Sequence, residues 1–224
     1  MVVDPKIQRV YREIQKQLFY MIPEKWNKVY LYSSIVERQN NLETGELYFY
    51  YIPTGILKKN PVNVYEIPNK FCIDENEYLK LVDKLYGEIK RLRRICMELG
   101  EEKWYSIIIS IGDFKFNVEY EYENLNNSNY SSYERHLIFR YEYLEYPITS
   151  FNKSEKEVIN RYLYQTRYNK PRRKVYSETM YKMPFETIEI GSKNSNIQYV
   201  KEDDERLLLE EKKDIKSQIL KSSF

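Results

Sequence analysis

Three glutamates at alternate positions, Glu119, Glu121 and Glu123, are the side chains whose type and spacing are most suggestive of chemistry. The residues that alternate with them are apolar: Phe114, Phe116, Val118, Tyr120 and Tyr122. This period of two predicts a β-strand that turns its apolar side to the core and its carboxylates outward, about 7 Å apart. Such a row of carboxylates can hold a divalent metal, face a basic partner, or simply form a solvated surface.

The sequence offers these carboxylates no catalytic or metal-binding partner. The single histidine, His136, has no cysteine or serine in a catalytic motif beside it, and most catalytic and metal sites need a second base or ligand. Cys72 and Cys96 lie in no metal-ligand or nucleophile motif, and we expect them to be reduced, buried thiols. The chain also lacks a glycine-rich phosphate-binding loop. We therefore expect no enzymatic activity, no catalytic residue, no cofactor and no bound metal ion.

Charge is distributed unevenly along a chain whose formal net charge is +2. Residues 1–150 contain 20 basic and 22 acidic side chains, a net charge of −2, and residues 151–224 contain 16 basic and 12 acidic, a net charge of +4. The segment RYNKPRRKVY (167–176) interleaves cations with tyrosines, a pattern that can contact phosphates and bases but is also typical of an exposed linker. Because a nucleic-acid-binding protein normally carries a much larger positive charge, direct nucleic-acid binding is not expected.

Hydrophobic periodicity predicts the elements that position these residues. Apolar side chains at three- and four-residue spacing predict a helix over residues 5–22. Alternating segments predict two antiparallel hairpins, KVYLYSSIV with GELYFYYI and KWYSIIISIGD with FKFNVEYEYENL, and a short strand in VNVYEI. Capping-box pairs begin three further helices: Asp74 with Glu77, Ser131 with Glu134, and Ser154 with Glu157.

Together these elements predict an α+β fold, an antiparallel sheet with helices packed on one face, plus a C-terminal helical extension. We divide the chain into an α+β domain (1–166) and a basic linker and extension (167–224) with a helix at about 202–220. No apolar run approaches the roughly 20 residues of a membrane span, and the N-terminal segment lacks the apolar stretch of a signal peptide. A cytoplasmic protein with no membrane partner is therefore expected.

The order of several segments resembles the YezG-like family of bacterial immunity proteins over about residues 5–150. These segments are MIPEKWNKVYLY, GELYFYYI, YEIPNKF, the long helix, FKFNVEYEYENL and ERHLIFRYEYL. Members of that family are antitoxins of secreted polymorphic toxins, often nuclease domains exported by type VII secretion in Gram-positive bacteria. The resemblance implies that residues 1–166 form an α+β immunity domain without catalytic residues.

Combined with the acidic strand, the resemblance leads to the hypothesis of a toxin inhibitor. We expect Glu119, Glu121 and Glu123 to face the basic, phosphate-binding groove of a cognate nuclease toxin, with Tyr130 and Tyr133 as aromatic contacts. Two alternatives stay open: a nucleic-acid-associated regulator that uses the basic tail, and an adaptor that accompanies a toxin to the secretion machinery. The sequence fixes neither the oligomeric state nor the chemistry of the toxin.

Overall fold

The fold is built around a six-stranded antiparallel sheet. A computed structural model of the protein describes residues 3–37, 42–55, 60–168 and 171–179. The strands are β1 (Trp26–Ser34), β2 (Val36–Glu37), β3 (Glu43–Thr44), β4 (Leu47–Pro53), β5 (Val62–Asn63), β6 (Ser106–Gly112), β7 (Lys115–Glu121) and β8 (Arg173–Thr179). The helices are α1 (Pro5–Met21), α2 (Ile67–Phe71), α3 (Glu75–Glu98), α4 (Ser132–Glu142) and α5 (Lys153–Tyr168), with short 3-10 helices at Val64–Glu66, Leu125–Asn127 and Ile148–Ser150. The predicted α+β class and antiparallel sheet are confirmed.

Sheet topology places the acidic strand, β7, next to an outer strand. The strand order is β5-β4-β1-β6-β7-β8, antiparallel throughout, and β2 and β3 form a separate two-stranded ribbon. Both predicted hairpins are confirmed, since β1 pairs with β4 and β6 pairs with β7. The strand predicted in VNVYEI is shorter than expected, because only Val62–Asn63 pairs with β4 before a 3-10 helix begins.

Helices α1 and α3 cover one face of the sheet, the inner face, to which β7 contributes Phe116, Val118 and Tyr120. The ring of Tyr11 in α1 lies 5.3 Å from that of Phe116, and the Tyr11 and Tyr120 hydroxyl oxygens are 2.5 Å apart. Cys96 of α3 meets the Tyr120 hydroxyl from the other side. The alternation along β7 thus produces the buried face that the sequence predicts.

Local capping interactions begin the helices close to the predicted positions. At the start of α3, the predicted cap Asp74 accepts a hydrogen bond from the Glu77 amide. At the start of α4, the predicted capping box of Ser131 and Glu134 forms completely. The box predicted for Ser154 and Glu157 is wrong: Asn152 Oδ1 instead accepts from the Glu155 amide at 3.0 Å, and the Asn152 amide donates back to the Glu155 carboxylate at 2.8 Å. None of the helices in the described part of the chain is long and apolar enough to span a bilayer.

Helix α4 covers part of the opposite face, the outer face, which carries Tyr32, Tyr48 and Tyr50. The Phe139 ring centroid of α4 lies 6.0 Å from that of Tyr32 and 5.3 Å from that of Tyr48. His136 Nε2 lies 2.8 Å from the Tyr50 hydroxyl. The predicted packing of helices on one face is therefore incomplete, because α4 covers part of the second and α5 packs against α4.

Strand β8 lies within the segment for which the sequence predicts an exposed basic linker, and that prediction is wrong for Arg173–Thr179. These residues pair antiparallel with β7, placing Arg173 opposite Glu121 and Tyr176 opposite Val118. The Tyr176 ring stacks on Tyr11 with centroids 5.4 Å apart. The sheet therefore extends past the predicted domain boundary at residue 166, and the helix predicted at about 202–220 lies outside the described residues.

Two residues that the sequence places in the core are exposed instead. Phe114 is 78% exposed because the β6–β7 turn, and not the strand, contains it. Asp113 and Phe114 both have positive φ angles, 51° and 58°, the conformation that a tight hairpin turn requires. Cys72 is also exposed, in a left-handed conformation at the end of α2, whereas Cys96 is buried as expected.

Replacing Tyr176 by Ala should lower the free energy of unfolding by about 2 kcal/mol, since a half-buried ring is lost from the inner face. Val175→Ala is the matched control, because Val175 precedes it in β8 and is 63% exposed; its effect should stay near 0.5 kcal/mol. Urea unfolding of the two variants measures the difference. Equal destabilisation would contradict the packing of β8 on α1.

Acid should weaken the contact of α4 with the sheet through His136. Burial, followed by the nearby Arg140 charge, lowers the pKa of His136 below the ordinary value of about 6.5. The unfolded chain therefore binds the proton more readily, so the stability contribution is complete above about pH 6.5 and shrinks as pH falls towards the folded-state pKa. Unfolding measured from pH 7 to pH 5 should show a smaller pH dependence for His136→Gln than for the original protein, and an identical dependence would refute the assignment.

Candidate functional site

A cleft of about 80 Å³ opens between the outer face of the sheet and helices α4 and α5. Three of the five predicted toxin-binding residues, Glu121, Glu123 and Tyr130, line it together with Tyr32 and Arg173. Strand β1 supplies Tyr32, β7 and the loop after it supply the three predicted residues, and β8 supplies Arg173, so residues far apart in sequence meet at one site.

Arg173 holds two of the three glutamates of the acidic strand. Its Nε lies 2.8 Å from Glu121 Oε1, and its Nη1 lies 3.9 Å from Glu119 Oε2. Its two terminal nitrogens also bind Glu142 of α4 in a bidentate pair, at 2.7 and 3.1 Å. The expectation that Glu119 and Glu121 point freely into solvent is therefore wrong; their side chains are only 23% and 18% exposed.

Further hydrogen bonds fix the same two carboxylates. The Ser106 hydroxyl donates to Glu121 Oε2 at 2.7 Å, and the Tyr143 hydroxyl donates to Glu119 Oε2 at 3.0 Å. Burial raises the pKa of Glu121, although the Arg173 charge and the Ser106 hydrogen bond act in the opposite direction. Glu121 is thus a carboxylate that the fold holds in a poorly hydrated position at considerable electrostatic cost.

Glu123 differs from the other two members of the row. It lies two residues beyond the end of β7, is exposed, and forms neither an ion pair nor a side-chain hydrogen bond with any described residue. Glu121 and Glu123 both line the cleft, so one buried and one exposed carboxylate flank the same opening. Of the predicted row, Glu123 is the member that a partner can reach without breaking an internal contact.

The two predicted aromatic contacts have different surroundings. Tyr130 is half-buried; its hydroxyl donates to Gln165 of α5, and the Arg161 guanidinium lies over its ring, 5.1 Å from the centroid. Tyr133 is 60% exposed, and its hydroxyl donates to Glu155 at 2.6 Å. Tyr130 lines the cleft whereas Tyr133 lies outside it, so the structure brings together four of the five predicted residues around Arg173 and its cleft.

Sequence reasoning missed two residues of this site. The basic, proline-broken sequence around Arg173 predicts a linker, whereas the structure gives RKVYSET the alternating exposed and half-buried residues of a strand. Tyr32 is predicted only as a strand residue; it is 4% exposed and lines the cleft. No local sequence pattern distinguishes such a tyrosine from an ordinary core residue.

The cations of the predicted linker are largely neutralised within the fold. Arg172 forms a bidentate pair with Glu102, and Lys174 lies 2.5 Å from a carboxylate oxygen of Glu101. Together with Arg173, every basic side chain between residues 171 and 179 is thus paired with an acid. Within the described ranges, no three His, Cys, Asp or Glu side chains come together as ligands for a metal ion.

Replacing Arg173 by Met should lower the free energy of unfolding by about 3 kcal/mol, because it leaves Glu121 buried without its counter-charge. Arg172→Met is the matched control: Arg172 is 71% exposed, and the loss of a surface ion pair should cost about 0.5 kcal/mol. Chemical denaturation at neutral pH measures both. If Arg173→Met and Arg172→Met lower the free energy of unfolding equally, the pair of Arg173 with Glu121 has no special structural importance.

Comparison with known proteins places the chain in a family. A family model described as immunity protein YezG-like matches residues 7–160. The chain is 28% identical to immunity protein YezG of Bacillus spizizenii over 141 residues, which cover 62% of this chain and 83% of that protein. It is 26% identical to the type VII secretion system protein EsaG of Staphylococcus aureus over 168 residues (73% and 97%), and 24% identical to immunity protein YezG of Bacillus subtilis over 160 residues (70% and 99%). Because the family match covers more than half of the chain, the protein belongs to the YezG-like family of immunity proteins.

Proposed function

We propose that the protein protects the producing cell by binding and occluding a cognate toxin in the cytoplasm, without catalysis of its own. The observation that carries this proposal is the family match over residues 7–160. Two relatives bear the name immunity protein, and a third is named as part of type VII secretion, which supports a toxin that is exported from the cell. The proposed target is a nuclease domain.

The acidic side of the cleft is the proposed point of contact with that domain. Nucleases hold the phosphates of their substrates with basic side chains, so an inhibitor that presents carboxylates can occupy the same groove. Complementary charge raises the association rate and suppresses wrong partners. Both properties suit a protein that must capture its toxin before the toxin acts.

The five predicted contact residues divide into two groups in this proposal. Glu123 and Tyr133 are exposed and touch the toxin directly. The other three residues contact neighbouring side chains: Glu119, Glu121 and Tyr130. The two glutamates contribute a fixed negative potential, and all three form a rigid surface behind the contact. Rigid, preorganised groups lose little entropy on binding, so this division favours tight association.

An adaptor for toxin export is a second proposal, favoured by the name of the Staphylococcus aureus relative as a type VII secretion system protein. An adaptor must also bind the toxin, so the same surface serves either role. The nucleic-acid-associated regulator receives less support, because Arg172, Arg173 and Lys174 are each paired with an acid inside the fold. Salt-sensitive binding to generic DNA would revive it.

Cells that express a toxin domain encoded by a neighbouring gene should grow again when this protein is co-expressed. The protein and the toxin domain should then elute as one complex. Glu123→Lys should weaken that complex at least tenfold, because it reverses an exposed charge at the cleft that has no ion-pair partner among the described residues. Glu98→Lys is the matched control, since Glu98 is also an exposed glutamate but lies at the end of α3; its affinity should change less than threefold. Cell death and no complex with the original protein would refute the immunity role.

A further inference from the structure

Phe114 lies at the tip of the β6–β7 hairpin, where its side chain is 78% exposed, more than any other large hydrophobic side chain in the described part of the chain. Gly112 and Lys115 pair with each other, so Asp113 and Phe114 form a two-residue loop. A ring in this position buries little surface against the fold. Its hydrophobic character therefore contributes little to the stability of the protein.

The backbone conformation at position 114 is also unfavourable for a phenylalanine. Asp113 and Phe114 have φ angles of 51° and 58°, and positive φ at both loop residues is the mark of a type I′ turn. Such a turn prefers Asn-Gly or Asp-Gly, because glycine takes the second position without a steric penalty. A bulky residue at positive φ is a genuine outlier, and outliers of this kind cluster at functional sites. Phe114 therefore needs an explanation other than the stability of the turn.

The charged residues beside the tip indicate which surface Phe114 can meet. Lys28 and Lys115 both lie opposite Gly112, one in each neighbouring strand. Lys28 Nζ is 3.7 Å from a carboxylate oxygen of Asp113. Lys115, in contrast, is exposed and has no ion-pair partner among the described residues. The tip thus presents an apolar ring next to an exposed cation.

We propose that Phe114 is an anchor residue that inserts into an apolar pocket of the bound toxin, while Lys115 faces a carboxylate at the rim of that pocket. Aromatic side chains that fill desolvated pockets supply much of the energy of protein–protein binding. A complementary charge at the rim adds specificity. The inference rests on the proposed immunity function and goes beyond it, because it adds a contact far from the acidic cleft and names the chemistry of the toxin there.

The dimensions of the sheet allow one toxin domain to reach both contacts. Lys115 and Glu121 are the first and last residues of β7, so the tip and the cleft lie about 20 Å apart. A stable interface buries about 800 Å² on each partner, a patch about 30 Å across. A second copy of this chain is the competing occupant. Contact across a two-fold axis at the tip would bring the two copies of Lys115 together, which disfavours self-association.

Stability and affinity should change in different directions when the ring is removed. Phe114→Gly introduces the residue that the turn prefers, so the midpoint of urea unfolding should equal or exceed that of the original protein. Phe114→Asn is a second variant that tolerates positive φ. Asp113→Gly is the matched control, since it relaxes the same turn and keeps the ring.

Titration of the full-length variants with the toxin domain encoded by a neighbouring gene measures the affinity. Phe114→Gly and Phe114→Asn should each raise the Kd at least tenfold, and Asp113→Gly should leave it within threefold. Lys115→Glu should raise the Kd at least fivefold. Its matched control is Lys84→Glu, because Lys84 is an exposed lysine of α3 that also has no ion-pair partner among the described residues; that change should stay within twofold.

Several results would overturn the proposal. An unchanged Kd for Phe114→Gly, with the original protein still binding, means that the toxin docks away from the tip. A lower urea midpoint for both Phe114 variants means that the ring belongs to the fold. Tighter binding of Lys115→Glu means that the rim of the pocket is basic.

Two further measurements separate this proposal from its competitor and from the proposed function. If sedimentation shows a dimer of the original protein and a monomer of Phe114→Gly, with equal affinity for the toxin, the occupant is a second copy and the proposal is wrong. If the original protein neither binds nor protects, the immunity function itself fails and the anchor proposal fails with it. Loss of affinity in the variants alone cannot produce that result.

Discussion

The contact of Arg173 with Glu119, Glu121 and Glu142 is the interaction on which the outer side of this fold depends. Three carboxylates in a partly dehydrated space repel one another, and burial alone already raises the pKa of Glu121. The planar guanidinium of Arg173 in β8 pairs with Glu121 of β7 and with Glu142 of α4, so these three elements can lie close together at this point. Without it the carboxylates would have to separate or take up protons, and the cleft between the sheet and the helices would lose its shape.

This contact also explains why the acidic strand is not an ordinary solvated surface. A free row of three carboxylates would move with solvent and present no fixed pattern to a partner. Here two of the three are held by hydrogen bonds, and Glu123 is the exposed member of the row. The result is a rigid negative wall with one reachable charge, an arrangement that gives specificity and fast association more than raw affinity.

The sequence predicted the elements well and their assembly only in part. Helices α1 and α3, both hairpins and the capping box at Ser131 follow from periodicity and local capping, which act within a few residues. The pairing of Arg173 with Glu121 joins residues 52 positions apart and leaves no local trace. The same holds for α4, whose weakly amphipathic pattern does not reveal that Phe139 packs on the outer face. The sequence therefore identifies the row of glutamates, but it does not predict that Glu119 and Glu121 are partly buried.

The residues of the cleft come from two parts of the chain, and this division bears on how specificity can change. Tyr32, Glu121 and Glu123 lie inside the range that matches the family, whereas Arg173 lies beyond its last matched residue, 160. A substitution at position 173 leaves the sequence of the matched range unchanged, but it alters the charge of the cleft and removes the contacts of Arg173 with Glu119, Glu121 and Glu142. Specificity between related toxins requires repulsion of the wrong partner as well as attraction of the right one. Because Arg173 carries the balancing charge on an edge strand, a substitution there would make the cleft more negative, which favours a basic partner and repels an acidic one.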